Sequence, residues 1–252
     1  MARYDFRSPR LFIDAALAPA AVLALAPNQA NYLVHVLRLK PGAPVLAFNG
    51  RDGEWCAELG AARKKGAELV AVERVREQTA PGDLHYLFAP LKHARLDYMV
   101  QKAVEMGVSR LQPVITRHTQ TERINLGRMR ANAIEAAEQC GILTVPEIAA
   151  PKKFDSLTRG WKADRLLVFC DEAADVKDPV AALASARSGG IAGRLPVSVL
   201  IGPEGGFSDT ERAALLKLPN VVRLGLGPRI LRADTAAVAA LTLVQAVLGD
   251  WR

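Results

Sequence analysis

Two glycine-rich segments near the C-terminus carry the residue types that could do chemistry. The first, Gly202-Pro-Glu-Gly-Gly-Phe207, follows the apolar run Val197–Ile201 and precedes Ser208-Asp-Thr-Glu211. The second, Gly225-Leu-Gly-Pro-Arg-Ile-Leu-Arg-Ala-Asp234, follows Val221–Leu224 and leads into an alanine-rich stretch. Each has the pattern of a strand that ends in a tight loop before a helix. Open α/β sheets bind ligands at the carboxyl ends of their strands, so two such loops in succession outline a pocket. Glycine lets the backbone turn sharply and come close to a ligand. Glu204 restricts what that ligand is, because a carboxylate in the loop repels phosphate. The Gly-Lys-Ser/Thr ending of a nucleotide phosphate loop is absent as well. The loop therefore suits a ligand with hydrogen-bond donors or positive charge. In the second loop Ile230 and Leu231 are expected to wall the pocket, with Arg229 and Arg232 pointing elsewhere. Arg232 either pairs with a neighbouring carboxylate or meets charge that develops on a substrate.

The elements that must position these loops alternate. From residue 84 onward the sequence predicts strands at Leu84–Phe88, Leu111–Ile115, Leu166–Phe169, Val197–Ile201 and Val221–Leu224, with helices between them. Such alternation implies a mostly parallel sheet covered on both faces. Leu96, Met99, Val100, Ala103 and Val104 form an apolar stripe on a helix from about Ala94 to Met106. A second helix is expected over Leu126–Gln139, ending before Gly141 as a C-cap. Ser208 to Glu211 reads as a capping box that starts a further helix, and Asp234 or Thr235 is expected to cap the last one.

The first eighty residues read differently. Short strands at Arg10–Asp14, Ala43–Phe48, Glu54–Leu59 and Ala67–Glu73, with Asn49-Gly-Arg-Asp-Gly53 as a hairpin turn, suggest a small β-barrel. Asn28–Val36 reads as one helix. The polar stretch Glu77–Asp83 separates this domain (1–77) from the α/β domain (84–252).

Composition sets the class. The chain has 252 residues, half of them apolar, enough for a real core in two domains. Cys56, Cys140 and Cys170 are too scattered for a metal site or a disulfide framework and are expected as buried thiols in a reducing compartment. The N-terminus has no apolar signal core, and Thr235–Leu248 is too short to span a bilayer. A cytoplasmic protein with no membrane partner is the expectation. The net charge of +7 is unevenly placed: residues 91–130 hold eight cations and three carboxylates, so +5 lies in forty residues. This is the footprint of a polyphosphate partner or of a solvated basic face.

The two loops together resemble the RsmE-type 16S ribosomal RNA methyltransferases of the SPOUT superfamily. Val36-Leu-Arg-Leu-Lys-Pro-Gly42, Gln101-Lys-Ala-Val-Glu-Met-Gly107, Ala136-Ala-Glu-Gln-Cys-Gly141 and Val145-Pro-Glu-Ile148 extend the likeness over most of the chain. The resemblance implies a PUA-like RNA-binding barrel, then a SPOUT α/β domain with a trefoil knot, working as a homodimer. It implies S-adenosylmethionine bound by Leu200, Ile201, Gly202, Pro203, Glu204, Gly205 and Gly206 and by Leu224, Gly225, Leu226, Gly227, Ile230 and Leu231, with no metal. The reaction implied is methylation at N3 of a uridine in 16S rRNA of the small subunit. In that reaction Arg232 would stabilise charge on the uracil oxygens, and Glu204 is a candidate base. Arg38, Lys40, Lys92, Arg95, Arg117, His118 and Arg123 would contact RNA, mostly at phosphates.

The chain departs from its relatives in three places. It has Ala233-Asp-Thr235 where they have Thr-Glu-Thr, and Thr116-Arg-His118 where many have Ser-Glu-Arg, so Arg117 or His118 takes that arginine's part. Tyr32 stands where relatives carry a histidine. The competing readings are a SPOUT enzyme acting on another base or on ribose, and a non-catalytic RNA-binding assembly factor. A nicotinamide dehydrogenase lacks its Gly-x-Gly-x-x-Gly here.

Overall fold

The computed structural model describes residues 8–61, 66–120, 123–175, 178–188 and 195–251. Two compact units result: Met1–Ala80 with Ala137–Val145, and Pro81–Ala136 with Pro146–Arg252.

In the first unit β1 (Arg10–Phe12), β2 (Val22–Ala24), β3 (Pro44–Phe48), β4 (Glu54–Leu59) and β5 (Glu68–Arg76) form a curled sheet in the order β1-β3-β4-β5-β2. The expected hairpin is β3–β4, with Pro44 opposite Glu58 and Phe48 opposite Glu54. Its turn is held by Asn49, whose side-chain oxygen accepts the backbone N–H groups of Arg51 and Asp52 at 2.9 Å. Strand β2, with one buried residue in three, left no pattern in the sequence. The helix expected over 28–36 is α1 (Pro27–Asn31) continued by a π-turn over Tyr32–Val36. Leu33 is fully buried there while Tyr32, His35, Val36 and Leu37 stay exposed. Arg10, the first residue of β1, is buried. Its guanidinium stacks 3.7 Å from the Phe48 ring, pairs with Glu54, and donates to the carbonyls of Ala137 and Ile142. These bonds satisfy a buried charge and tie segment 137–145 to the barrel.

The second unit runs β6 (Leu84–Phe88), α2 (His93–Glu105), β7 (Arg110–Ile115), α3 (Leu126–Gln139), β8 (Glu147–Ile148), β9 (Lys152–Lys153), α4 (Phe154–Arg159), β10 (Leu166–Cys170), α5 (Pro179–Ser188), β11 (Val197–Ile201), α6 (Asp209–Leu216), β12 (Val221–Leu224) and α7 (Ala233–Val247). The strand order is β12-β10-β11-β6-β7-β8, with β9 also on β7, and every pairing is parallel. Strands buried on both faces read as nearly continuous apolar runs, as in β11, where all five residues are buried and Ser198 alone is polar. The apolar stripe of α2 is buried, and α2 packs on α7. Gly107 and Gly141, at φ +77° and +67°, follow α2 and α3.

Two expectations need correction. Helix α7 starts at Ala233 with Arg232 as N-cap and no side-chain cap. Asp234 and Thr235 thus fall inside the first turn, where Asp234 contributes a favourable charge to the helix N-terminus. The cysteines are not all buried, because Cys140 lies exposed in the loop after α3. Among the described residues no helix is long and apolar enough to cross a membrane.

Candidate active site

Strand β10 lies between β12 and β11, and the three end level: Cys170 is in register with both Ile201 and Leu224. Three loops therefore leave the sheet side by side. Two are the glycine-rich segments. The third, Asp171–Asp175, was invisible in the sequence because it has no glycine or proline to mark it.

In the first loop Leu200, Ile201, Gly202 and Pro203 are buried, while Glu204 and Gly205 are exposed. A Cβ on Gly202 would lie 2.9 Å from the Phe207 ring, one on Gly205 would lie 3.2 Å from His118 Cβ, and one on Gly206 would run into the Glu172 carboxylate. These glycines thus serve close packing of the loop onto its own surroundings. Phe207 anchors it from below, edge-to-face on Phe169 at 5.8 Å. The capping box is present: Ser208 Oγ accepts the Glu211 N–H, and Glu211 Oε2 accepts the Ser208 N–H. The other Glu211 oxygen accepts the Arg117 N–H at 2.8 Å.

In the second loop Leu224 and Gly225 are buried, Leu226 and Leu231 are half-buried, and Gly227 and Arg229 are exposed. Ile230 is 93% exposed within the chain. Arg232 is exposed and, among the described residues, its side chain has no hydrogen-bond or ion-pair partner. The pairing with a carboxylate that the sequence left open is not formed. Glu204 instead faces Arg95, 3.7 Å away.

The carboxyl end of β7 joins the site through His118. Its Nδ1 lies 3.0 Å from the Gly205 carbonyl and 3.2 Å from that of Gly206. A carbonyl only accepts, so Nδ1 carries the proton. His118, not Arg117, touches the first loop. The Arg117 guanidinium is exposed.

Asp171 lies beneath the loops, with its side chain fully buried. Its carboxylate accepts from Arg212 Nε at 2.9 Å, Arg223 Nε at 2.7 Å and the Ala173 N–H at 3.1 Å. Burial pushes its pKa up, but these donors outweigh burial and hold it below the ordinary carboxylate value. The neighbouring Cys170 thiol, buried beside this charge, is pushed up to about 12.

The basic run is partly neutralised. Arg128 pairs with Asp97, Lys102 with Glu105, Arg110 with Glu147 and Arg95 with Glu204. Lys92, Arg117 and Arg123 are exposed with no side-chain partner among the described residues. Arg38 and Lys40 are exposed in the first unit just beyond the π-turn, with Arg38 at φ +55°.

A family model described as an RNA methyltransferase domain matches residues 78–245, and one described as an RNA methyltransferase PUA domain matches residues 25–72. The ribosomal RNA small subunit methyltransferase E of Rickettsia conorii is 29% identical over 237 residues, 94% of each chain. The protein of the same name from Synechocystis is 30% identical, covering 90% of this chain and 74% of that one. A methyltransferase from Legionella pneumophila, solved with bound cofactor SAM, superposes with a TM-score of 0.81 at 30% identity, covering 95% of this chain and 98% of that one. By these matches the chain belongs to the RNA methyltransferase family that includes the ribosomal RNA small subunit methyltransferase E proteins.

Proposed function

We propose that the protein is an S-adenosylmethionine-dependent methyltransferase that modifies N3 of a uridine in the 16S rRNA of the small ribosomal subunit. The observation that carries this reading is the level ending of β10, β11 and β12 beneath three loops, two of which carry carboxylates (Glu204 on one, Glu172 and Asp175 on another) and the third the exposed, unpartnered Arg232. Glu204 and Glu172 favour a ligand with cationic groups, and the exposed Ile230 offers apolar surface. S-adenosylmethionine, with its ammonium, sulfonium and adenine groups, fits that donor set and supplies an electrophilic methyl group. The bound cofactor in the Legionella relative supports the same choice. Leu200–Gly206 and Leu224–Leu231 would hold it.

In the transfer the N3–methyl bond forms as the sulfur–methyl bond breaks, with its electron pair left on sulfur. The N3 proton departs to Glu204 or to water. Arg232 donates to the uracil oxygens, where negative charge grows as that proton leaves. Most of the remaining barrier reduction comes from holding N3 in line with the methyl group. Lys92, Arg95, Arg117, His118 and Arg123 contact the RNA, with Arg38 and Lys40 on the PUA-like domain adding phosphate contacts. Residues 1–77 would be the RNA-binding domain and 84–252 the catalytic one, with segment 137–145 packed into the first unit; the two family matches fall on either side of that division. A knotted SPOUT core, a homodimer and a cytoplasmic location follow from the same reading.

The test uses small subunits from cells lacking the protein, incubated with it and radiolabelled S-adenosylmethionine. Label in N3-methyluridine is the expected result. Label on another base or on ribose overturns the substrate assignment. RNA binding with no label favours the assembly-factor reading.

A further inference from the structure

We infer that Asp171 is a positioning residue that sets the spacing of the two glycine-rich loops and, through it, the affinity for S-adenosylmethionine. The identity of the ligand rests on the function proposed above. The positioning itself rests on geometry alone.

Asp171 is the first residue beyond β10, just where the ladder of the parallel sheet ends. The sheet fixes β11 and β12 up to Ile201 and Leu224, and the loops beyond have no ladder of their own. Asp171 replaces it on both sides. Its backbone N–H donates to the Leu224 carbonyl at 3.0 Å. Its carboxylate accepts from Arg223, at the end of β12 beside the root of the second loop, and from Arg212, in the first turns of the helix that ends the first loop. One buried carboxylate thus joins the root of one loop to the far end of the other. Arg212 carries the connection further: it reaches Glu172 at 3.3 Å, and the Glu172 carboxylate occupies the space where Gly206 has no side chain. Glu172 is the member of this set that faces solvent, at the outer end of the chain of contacts. The Asp171 side chain is fully buried, with Arg212 and Arg223 forming its lid at 19% and 31% exposure. It therefore acts through the loops and not on a substrate.

Three variants of the full-length chain test this by hydrogen–deuterium exchange in the absence of ligand. Asp171→Asn keeps the volume but loses the charge and one acceptor. It is expected to speed exchange in peptides covering both 200–208 and 224–232, by about tenfold or more, with the rest of the α/β unit unchanged. Arg212→Gln should loosen the first loop alone, and Arg223→Gln the second alone. In parallel, the KM for S-adenosylmethionine should rise about tenfold or more in Asp171→Asn, while kcat at saturation falls much less. Unchanged loop exchange, or equal loosening of the whole unit by all three variants, overturns the proposal. If Asp171→Asn fails to fold, the two arginine variants decide the matter. If the unaltered protein binds no S-adenosylmethionine, the proposed function falls, and the exchange pattern still confirms or refutes the role of Asp171.

Discussion

Glu211 accepts the backbone N–H of Arg117 at 2.8 Å across ninety-four positions of sequence while it closes the capping box of its own helix. The carboxylate is buried, so both of its oxygens have to be satisfied. Glu211→Ala would remove half the cap and leave the Arg117 N–H without its acceptor. A loss of about 2–3 kcal/mol is expected. Ser208→Ala, which removes the hydroxyl half of the box, should cost about 1 kcal/mol. Urea denaturation of the two single variants checks this, and equal losses would show that the Arg117 bond contributes nothing.

Arg232 has the opposite character, exposed and without a partner among the described residues. Arg232→Ala should leave stability within about 0.5 kcal/mol of the parent, as for surface positions without special contacts. Its methyl-transfer rate should fall about a hundredfold to a thousandfold, the usual cost of removing one donor to developing negative charge. Thermal melts and single-turnover assays on the same preparation separate the two effects. Full activity in the variant would remove Arg232 from the mechanism.

What the sequence made legible was local. Leu84–Phe88, Val197–Ile201 and Val221–Leu224 are strands over just the residues expected, because each is a mainly apolar stretch with one polar residue (His85, Ser198 or Arg223) and a glycine or proline within two residues of its end. The capping box at Ser208 follows from a four-residue spacing. What stayed hidden depends on pairs far apart in the chain. Arg95 meets Glu204, and His118 meets Gly205, only because β6, β7 and β11 are neighbours in the sheet. The basic run looked more available than it is, since Glu147 and Glu204, outside it, each neutralise one of its arginines. Strands β8 and β9, at two residues each, are too short to show a period.

The glycines of the two loops are not equivalent. Gly227, at φ +96°, has nothing within 4 Å of where a Cβ would sit, whereas Gly206, at φ +66°, would drive one into Glu172. Gly227→Ala should therefore cost only the backbone strain, about 1–2 kcal/mol. Gly206→Ala should cost little more than that strain, because the Glu172 carboxylate it meets is the free end of a half-exposed side chain. Shortening that side chain in Gly206→Ala/Glu172→Ala should therefore restore little. Chemical denaturation of the set gives the coupling, and a marked departure from additivity would mean that Glu172 cannot swing out of the space.

His85 makes stability depend on pH from the opposite end of the sheet. Burial first, and then the Arg165 guanidinium, push its pKa from 6.5 down to about 4. Asp83 lies 3.2 Å from Nε2 and opposes this, but Asp83 is itself paired with Arg165, and Arg110 adds a further positive charge. The imidazole is thus neutral in the folded protein at pH 7. In the unfolded chain it takes up a proton near its ordinary value of 6.5. Between these two values the unfolded state binds more protons, so stability falls as the pH drops from about 6.5 towards 4 and this contribution levels off below. The contribution amounts to roughly 2 kcal/mol between pH 7 and pH 5. His85→Gln should lose that part of the slope while keeping whatever the carboxylates contribute. Urea unfolding of both proteins at pH 7 and pH 5 measures the difference. Parallel pH dependences would mean that His85 titrates alike in the folded and unfolded chain, and that the surrounding charges do not hold it neutral.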